Sequence, residues 1–279
     1  MTEKSEKIKD IIRICILTAA ALLFVAPVLI VLMNSFKEKL FITSEPFKLP
    51  SADTFAGLRN FTEGLRKTGF ISAFGWSLFI TVGSVAVIVL FCSMTAWYIT
   101  RVKSRFTSFL YYAFVFSMIV PFQMVMFTMT KTANALSLDN PLGIILIYLG
   151  FGSGLSVFMF CGFIKSIPLE IEEAAMIDGC GPVRTFFSVV FPILKPTAIT
   201  VAILNAMWIW NDYLLPYLVI GSDYKTVPIA IQYLRGGYGS VDMGAMMAML
   251  VLAIIPIVVF YLSCQKYIIK GVAAGAVKG

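Results

Sequence analysis

The residues best suited to chemistry are carboxylates in a short polar segment, residues 165–192, between two long apolar runs. Glu170, Glu172 and Glu173 follow Pro168, which suits the first turn of a helix. Because the helix dipole stabilises negative charge near a helix N-terminus, a short acidic helix is predicted here. Such a helix is suited to being held by another molecule. A plain connector helix would show the same pattern, and both interpretations stay open on these residues alone.

The predicted helix also offers a close-packing face and a defined end. Ile171, Ala174 and Ala175 share one face at i, i+3, i+4 spacing. The two alanines would leave a shallow surface that another helix can approach. Asp178 is followed by Gly179, and glycine readily adopts the left-handed conformation that ends a helix. We therefore expect the helix to stop at Gly179.

The residue types exclude most catalytic and metal chemistry. The chain has no histidine, and its five cysteines match no metal or redox spacing. It also lacks the phosphate-binding pattern G-x-x-x-x-G-K-[ST], so the sequence predicts no ATP-binding loop of that kind on this chain. We therefore predict no catalytic residue, no metal site and no cofactor on this chain.

The composition is typical of an integral membrane protein. Hydrophobic residues make up 59% and charged residues 13% of the 279 residues, and the mean hydropathy is +0.90. Soluble proteins are about one-quarter charged. The net charge of +7 does not indicate nucleic-acid binding, because the lysines and arginines are not gathered into one basic stripe.

Six apolar runs are long enough to cross a bilayer, which takes about 20 residues in a helix. The predicted spans are residues 11–33, 70–99, 106–130, 142–164, 193–219 and 243–267. The fold class is therefore an all-α integral membrane protein with six transmembrane helices. We expect one transmembrane domain over residues 1–279, with a loop at 165–192 and a tail at 268–279. Pro121 predicts a kink in the third span.

The distribution of positive charge predicts the orientation of the spans. Six spans put both termini on one side, and with the termini inside, 13 of the 22 lysines and arginines fall in inner segments. The short loop with Arg101, Lys103 and Arg105 carries the most weight, because positive charge in short loops marks the cytoplasmic side. Both termini and segment 165–192 are therefore predicted to face the cytoplasm. The outer loops are then residues 34–69, 131–141 and 220–242.

Polar side chains within the predicted spans are candidates for a solute pathway, because they are costly to place in lipid. Gln123, Asn205 and Trp208 form a chemically sensible set for a sugar, whose rings stack on aromatic side chains and whose hydroxyls bond to amides. For the two amides, hydrogen bonding between helices is the alternative. Asp212 is predicted to be an interfacial anchor near the outer surface.

Four motifs carry a resemblance to a known family. They are IPLEIEEAAMIDG at 167–179, FF at 186–187 with FPILKP at 191–196, WNDYLLP at 210–216, and GVAAGAVKG at 271–279. Together they resemble the binding-protein-dependent ABC importer permeases, whose EAA loop matches the first two motifs. The likeness is greatest to the sugar-importer branch and its MalG-like half. It runs along nearly the whole chain, and the combination of motifs is highly specific.

The resemblance implies a role for three groups of residues. The helix of segment 165–192 would be a coupling helix seated in a groove of a cytoplasmic ATPase subunit, with Glu173 as the ionic contact. The full coupling set would be Glu172, Glu173, Ala174, Ala175, Asp178 and Gly179. The tail residues Gly275, Lys278 and Gly279 would reach the interface between two ATPase subunits. The outer-loop residues Arg235, Gly236, Gly237 and Tyr238 would touch a binding protein, with an ordinary surface turn as the alternative.

The predicted function is thus a permease subunit of an ATP-driven importer for a sugar or oligosaccharide, forming half of a heterodimeric pathway in a bacterial or archaeal cytoplasmic membrane. The expected partners are a MalF-like second permease, two ATPase subunits that hold ATP and Mg, an extracytoplasmic substrate-binding protein and the lipid bilayer. One alternative is a permease of the same family for another polar solute, such as a glycerol phosphate. The other is a six-span secondary carrier, for which Asp212 would be the available ion-coupling group.

Overall fold

The structure, a computed structural model, describes residues 2–234 and 241–276, and the regular elements in these two ranges are all helices. The first seven are α1 (Thr2–Asn34), α2 (Lys39–Ser44), α3 (Arg59–Thr68), α4 (Phe70–Arg101), α5 (Arg105–Ser117), α6 (Phe122–Ala135) and α7 (Pro141–Ile164). The next seven are α8 (Glu170–Ile177), α9 (Pro182–Thr185), α10 (Phe191–Ile193), α11 (Lys195–Asn211), α12 (Leu214–Val219), α13 (Val227–Gln232) and α14 (Met243–Ala276). The predicted all-α fold class is confirmed.

Within the described residues, four helices are long and apolar enough to cross a membrane as single pieces. They are Lys9–Asn34 of α1, Phe70–Arg101, Pro141–Ile164 and Met243–Gln265 of α14. The number is six if each of two bent pairs counts as one broken span, namely Arg105–Ser117 with Phe122–Ala135, and Pro182–Ile193 with Lys195–Asn211. The apolar side chains of α1 stay exposed, with Leu17 68% and Phe24 82% exposed, as suits a helix surrounded by lipid.

The third and fifth predicted spans are not single helices. Between α5 and α6 the chain bends by 108°, so residues 106–130 do not form one helix. Pro121 lies at this break with an extended backbone (φ −63°, ψ 137°), and a proline lacks the N–H that would continue the helix. The kink expected at Pro121 is therefore a full break. The span predicted at 193–219 is also divided, because α11 ends at Asn211 and α12 begins at Leu214.

The described chain falls into two compact units. Unit 1 is built from the chain through Ile71 together with Ala230–Pro256, and unit 2 from Ser72–Ile229 together with the chain from Ile257. Unit 2 is organised around α7, where Tyr148 and Phe160 are both 0% exposed.

Small residues allow the helices of unit 2 to approach closely. A Cβ added to Gly152 of α7 would lie 2.7 Å from Cδ1 of Ile88 and 2.8 Å from Oδ1 of Asn205. Contacts through small residues of this kind are typical of helix packing in membranes.

Unit 1 contains a folded segment where the sequence predicts an outer loop. From α3, Nδ2 of Asn60 donates to the carbonyl oxygens of Ser35 and Lys37 at 2.9 and 2.8 Å. The ammonium of Lys37 donates to the carbonyl oxygen of Glu45 at 2.7 Å, and Lys37 is 1% exposed. This burial lowers the pKa of Lys37, and the nearby charge of Glu45 opposes the shift. These bonds hold the chain after α1 in one conformation.

An ion-pair network joins α3 to the start of α14 within unit 1. Nζ of Lys67 lies 2.6 Å from Oδ2 of Asp242 and 2.7 Å from Oε2 of Glu63, and these hydrogen bonds raise the pKa of Lys67. Burial raises the pKa of Asp242, but the hydrogen bonds from Lys67 and the N–H of Ala245 outweigh it, so this pKa is lowered overall. The network is therefore lost only in acid, as Asp242 protonates, or in strong alkali, as Lys67 deprotonates.

The close contact between α3 and α14 predicts that one methyl group added at Gly244 destabilises the fold. A Cβ on Gly244 would overlap the amide of Asn60, which is buried and bonded to two carbonyls. We expect Gly244→Ala to lower the free energy of unfolding by about 1–3 kcal/mol. Gly75→Ala is the control, because a Cβ there meets nothing within 4 Å. Thermal unfolding in detergent compares the two variants, and wild-type stability of Gly244→Ala would contradict this packing.

Candidate functional site

Segment 165–192 contains the short acidic helix that the sequence predicts, α8. The N–H groups of Glu172 and Glu173 donate to the carbonyl oxygen of Leu169 at 2.9 and 3.1 Å and close the first turn. Pro168 lies just before this turn rather than within it. The acidic residues occupy the first turn of the helix, where its dipole stabilises their charge.

α8 ends in a Schellman motif, a hydrogen-bonded helix stop. The N–H of Gly179 donates to the carbonyl oxygen of Met176, and the N–H of Cys180 donates to that of Ala175, both at 3.0 Å. Gly179 has a φ of 82°, which is the left-handed conformation. The predicted stop at Gly179 is confirmed. The chain turns there and restarts at Pro182, the first residue of α9.

A buried carboxylate fastens α8 to the end of α4. Nε and Nη2 of Arg101 donate to Oε1 of Glu172 at 2.9 and 2.7 Å, and Nε1 of Trp97 donates to Oε2 at 2.9 Å. Nη2 of Arg101 also donates to the carbonyl oxygen of Ile167 at 3.0 Å. Glu172 is 1% exposed, so its charge is balanced within the chain, as a buried carboxylate requires. We call Trp97, Arg101 and Glu172 the carboxylate clamp.

Trp97 also connects α4 to an aromatic cluster that follows α9. Its ring centroid lies 5.5 Å from that of Phe186, which lies 5.1 Å from Phe187 and 5.8 Å from Phe191. Phe186 is 1% exposed and begins a π-helical turn over 186–190, where the N–H of Phe191 donates to the carbonyl oxygen of Phe186. One tryptophan thus holds α8 through its indole N–H and the following helices through its ring.

The opposite side of α8 is open. Glu173 and Ala174 are exposed, Met176 is 49% exposed and Ile177 is 86% exposed. We call these four residues the outer face of α8. Exposed apolar side chains beside a carboxylate form a surface that another protein can cover.

The structure divides the set of six residues predicted from the resemblance. Glu172 and Ala175, three residues apart, both point inward, and Ala175 is 9% exposed. Ala174 points outward, so the two alanines do not share one open face as the spacing alone suggests. Asp178 is exposed and, together with Gly179, forms the end of the helix.

The three candidates for a solute pathway lie in different surroundings. Asn205 is 5% exposed, and its Nδ2 donates to Oγ of Ser156 on α7 at 3.2 Å. Trp208 is 40% exposed and packs edge-on against Tyr148 at 5.4 Å. Gln123 is exposed on α6. Asn205 therefore makes the inter-helix hydrogen bond considered as the alternative, whereas the side chains of Gln123 and Trp208 are exposed.

A polar contact at the break between α11 and α12 involves Asp212. Its Oδ1 accepts hydrogen bonds from the N–H groups of Leu214 and Leu215 at 3.0 and 3.4 Å, as an N-cap does. The hydroxyl of Tyr148 donates to Oδ2 of Asp212 at 3.1 Å. The carboxylate therefore satisfies the backbone where the helix is interrupted. This structural role is absent from the interpretation of Asp212 as an interfacial anchor.

Sequence reasoning missed two members of the carboxylate clamp. Arg101 was used only to orient the spans, and Trp97 was not singled out. Their spacing of i, i+4 places both on one face at the end of α4. Two side-chain donors, a guanidinium and an indole N–H, thus lie on one face at the end of a span. This pattern in the sequence could have indicated a buried carboxylate nearby.

Two groups of predicted residues, in the outer loop and in the tail, lie wholly or partly outside the described part of the chain. Arg235, Gly236, Gly237 and Tyr238 lie outside the described residues, as do Lys278 and Gly279. Gly275 lies in the last turn of α14, which runs beyond the predicted end of its span at residue 267. The roles that the resemblance implies for these residues stay predictions.

Comparison with known proteins places most of the chain in one group. The family described as "Binding-protein-dependent transport system inner membrane component" matches residues 88–274, which include segment 165–192. The probable starch degradation products transport system permease protein of Thermoanaerobacterium thermosulfurigenes is 39% identical over 259 residues, covering 92% of this chain and 93% of that protein. The multiple sugar-binding transport system permease protein of Streptococcus mutans is 36% identical over 281 residues, covering 99% of this chain and 100% of that protein.

A solved structure shares the fold. It is described as a bacterial ABC transporter involved in the import of the acidic polysaccharide alginate. One of its chains superposes with a TM-score of 0.79, covering 94% of this chain and 97% of that chain at 21% identity. At this identity the likeness concerns the fold alone.

The clamp predicts that substitutions at two neighbouring glutamates differ strongly in their effect on the free energy of unfolding. Glu172→Ala leaves the guanidinium of Arg101 without its carboxylate, and we expect a loss of about 3 kcal/mol in the free energy of unfolding. Glu173→Ala is the matched control, since Glu173 is exposed, and we expect a change within about 0.5 kcal/mol. Thermal unfolding of both variants in detergent measures the difference. Equal losses in the two variants would show that the clamp does not hold α8.

Proposed function

Because this chain belongs to the family of binding-protein-dependent transport system inner membrane components, we propose that it is the permease subunit of an ATP-driven importer for a sugar or oligosaccharide. Two relatives that match over nearly their whole length support this solute class, since they are named for starch degradation products and for multiple sugars. The family also makes the chain a transport subunit rather than an enzyme. A subunit of this kind works with a partner permease, an ATPase and a substrate-binding protein.

In the proposed assembly, a MalF-like permease forms the other half of the pathway, and two ATPase subunits bind ATP and Mg. An extracytoplasmic binding protein delivers the solute. Segment 165–192 and both termini lie on the cytoplasmic side of a bacterial or archaeal membrane. Support for this orientation comes from the contact between α8 and Arg101, because the basic residues Lys103 and Arg105 follow at that same end of α4.

The carboxylate clamp is the observation that supports a coupling role for α8. Glu172 is bonded to both Trp97 and Arg101, so α8 cannot move independently of α4. A partner that pulls on the outer face therefore moves α8 and α4 together. The displacement passes into α4 through the clamp. Through the ring of Trp97 it also passes into Phe186 and the helices that lead to α11. ATP-driven movement on the cytoplasmic side thereby changes the tilt of membrane helices.

Glu173, Ala174 and Ile177 are the proposed contacts with the ATPase, and Asp178 and Gly179 set the turn at the end of the contact. Glu172 and Ala175 contribute by positioning α8 on its own chain. Gln123 and Trp208 are proposed contacts for the solute, supported by their exposure. For the tail residues and the outer loop at 235–238, the resemblance remains the support.

The outer face of α8 predicts an uncoupled importer when it is altered. In the reconstituted importer, we expect Ile177→Glu to lower ATP-driven uptake more than about tenfold, because a charge buried unpaired in an interface costs several kcal/mol. Glu173→Ala should lower uptake less. Asp139→Ala, an exposed carboxylate in another loop, is the control. The thermal stability of the isolated chain should be unchanged in all three, and wild-type uptake by Ile177→Glu would exclude this contact surface.

The transport function itself predicts a strict requirement for partners. Liposomes with the complete importer should accumulate labelled malto-oligosaccharide only with internal ATP and the binding protein present. Liposomes with this chain alone should show no uptake under an imposed proton or sodium gradient. Gradient-driven uptake by the chain alone would contradict the proposal in favour of a secondary carrier. Uptake of glycerol 3-phosphate in place of the oligosaccharide would keep the mechanism and change the solute.

A further inference from the structure

A basic cavity of about 750 Å³ in unit 2 lies between the end of α4, the start of α5 and the end of α7. Lys103 lines it from the turn between α4 and α5, Arg105 lines it as the first residue of α5, and Lys165 lines it from the end of α7. Tyr111 and Tyr112 form part of its wall, and hydroxyl groups of serines and threonines complete the polar lining. It lies at the end of the helix bundle that carries α8, but it shares no residue with the carboxylate clamp or with the outer face of α8.

The charge of this cavity is not neutralised by the chain. Its lining holds three cationic side chains and no carboxylate. Within the described residues none of these three forms an ion pair, whereas the neighbouring Arg101 is paired with Glu172. The ammonium of Lys165 lies over the ring of Tyr111 at 5.3 Å from its centroid, a cation–π contact that holds the charge at the cavity wall. Three gathered cations with no carboxylate among them are suited to binding an anion.

An aromatic stripe leads away from the cavity along α5. Its members are large, exposed side chains, namely Phe106 at 60%, Phe109 at 67%, Tyr112 at 69% and Phe116 at 65%. They recur at intervals of three or four residues, which places them on one side of the helix. Tyr112 belongs to both the stripe and the cavity lining. A basic cavity at the end of a membrane helix, continued by an exposed apolar stripe, matches a molecule with an anionic head and hydrocarbon chains.

We propose that this cavity binds the phosphate head group of an anionic phospholipid such as phosphatidylglycerol, whose acyl chains lie along the aromatic stripe of α5. Lys103, Arg105 and Lys165 contact the phosphate. Basic pockets between membrane helices at the cytoplasmic side bind such head groups in general. The proposal does not depend on the transported solute or on the ATPase.

Native mass spectrometry of the full-length chain in detergent tests the proposal, with dioleoylphosphatidylglycerol and dioleoylphosphatidylcholine titrated separately. We expect one saturable phosphatidylglycerol per chain and weaker binding of the zwitterionic lipid. The triple variant Lys103→Gln, Arg105→Gln, Lys165→Gln should raise the apparent dissociation constant at least about tenfold, because each basic residue near an anionic lipid contributes roughly fivefold.

The matched control is Lys39→Gln, Arg66→Gln, Lys131→Gln, which removes the same charge from exposed positions outside the cavity and should bind like the wild type. Should the triple pocket variant unfold, Lys165→Gln compared with the charge-retaining Lys165→Arg gives the same comparison. The proposal is overturned if the two lipids bind equally well, or if the pocket and control variants lose the same amount of affinity for phosphatidylglycerol. Displacement of phosphatidylglycerol by millimolar inorganic phosphate would reassign the cavity to a soluble phosphate compound.

Discussion

Glu172 is a charged group with almost no contact with water, and the arrangement of the end of unit 2 that carries α8 depends on how that charge is balanced. A carboxylate in such surroundings is tolerated only where donors occupy its oxygens. Arg101 occupies one and Trp97 the other. Because these donors belong to the last turns of α4, the rotation of α8 about its axis is determined by α4.

Because of that constraint, the two sides of the eight-residue helix α8 have different surroundings. The inner side of α8 packs against its own chain, and its outer face is exposed, which is where the proposed ATPase contact lies. The Schellman stop at Gly179 and the restart at Pro182 then turn the chain toward the aromatic cluster around Phe186. Contacts with two different elements fasten the helix to unit 2, and the proposed function uses this attachment to transmit an ATP-driven movement.

The features recovered from sequence are those governed by local rules. The positions of the four unbroken membrane helices follow from apolar run length, and the end of α8 follows from the conformational freedom of Gly179. The ion pair of Arg101 and Glu172 joins residues that are 71 positions apart, and the spacing of residues along a helix cannot predict such a contact. Helical spacing grouped Ala174 with Ala175, but which side of a short helix is buried depends on its neighbours. Pro121 marked a disturbance, while the size of the bend depends on how α5 and α6 pack.

Glu172 is bonded within its own chain, whereas the adjacent Glu173 is exposed and, in the proposed assembly, faces another protein, and this separates the ways in which each position can change during evolution. A substitution at Glu172 can be compensated only within the same gene, at the codons for Trp97 and Arg101. A substitution at Glu173 can be compensated only in the gene of whichever protein covers the outer face of α8. Neighbouring codons should therefore covary with different partners, one within this chain and one across a subunit boundary.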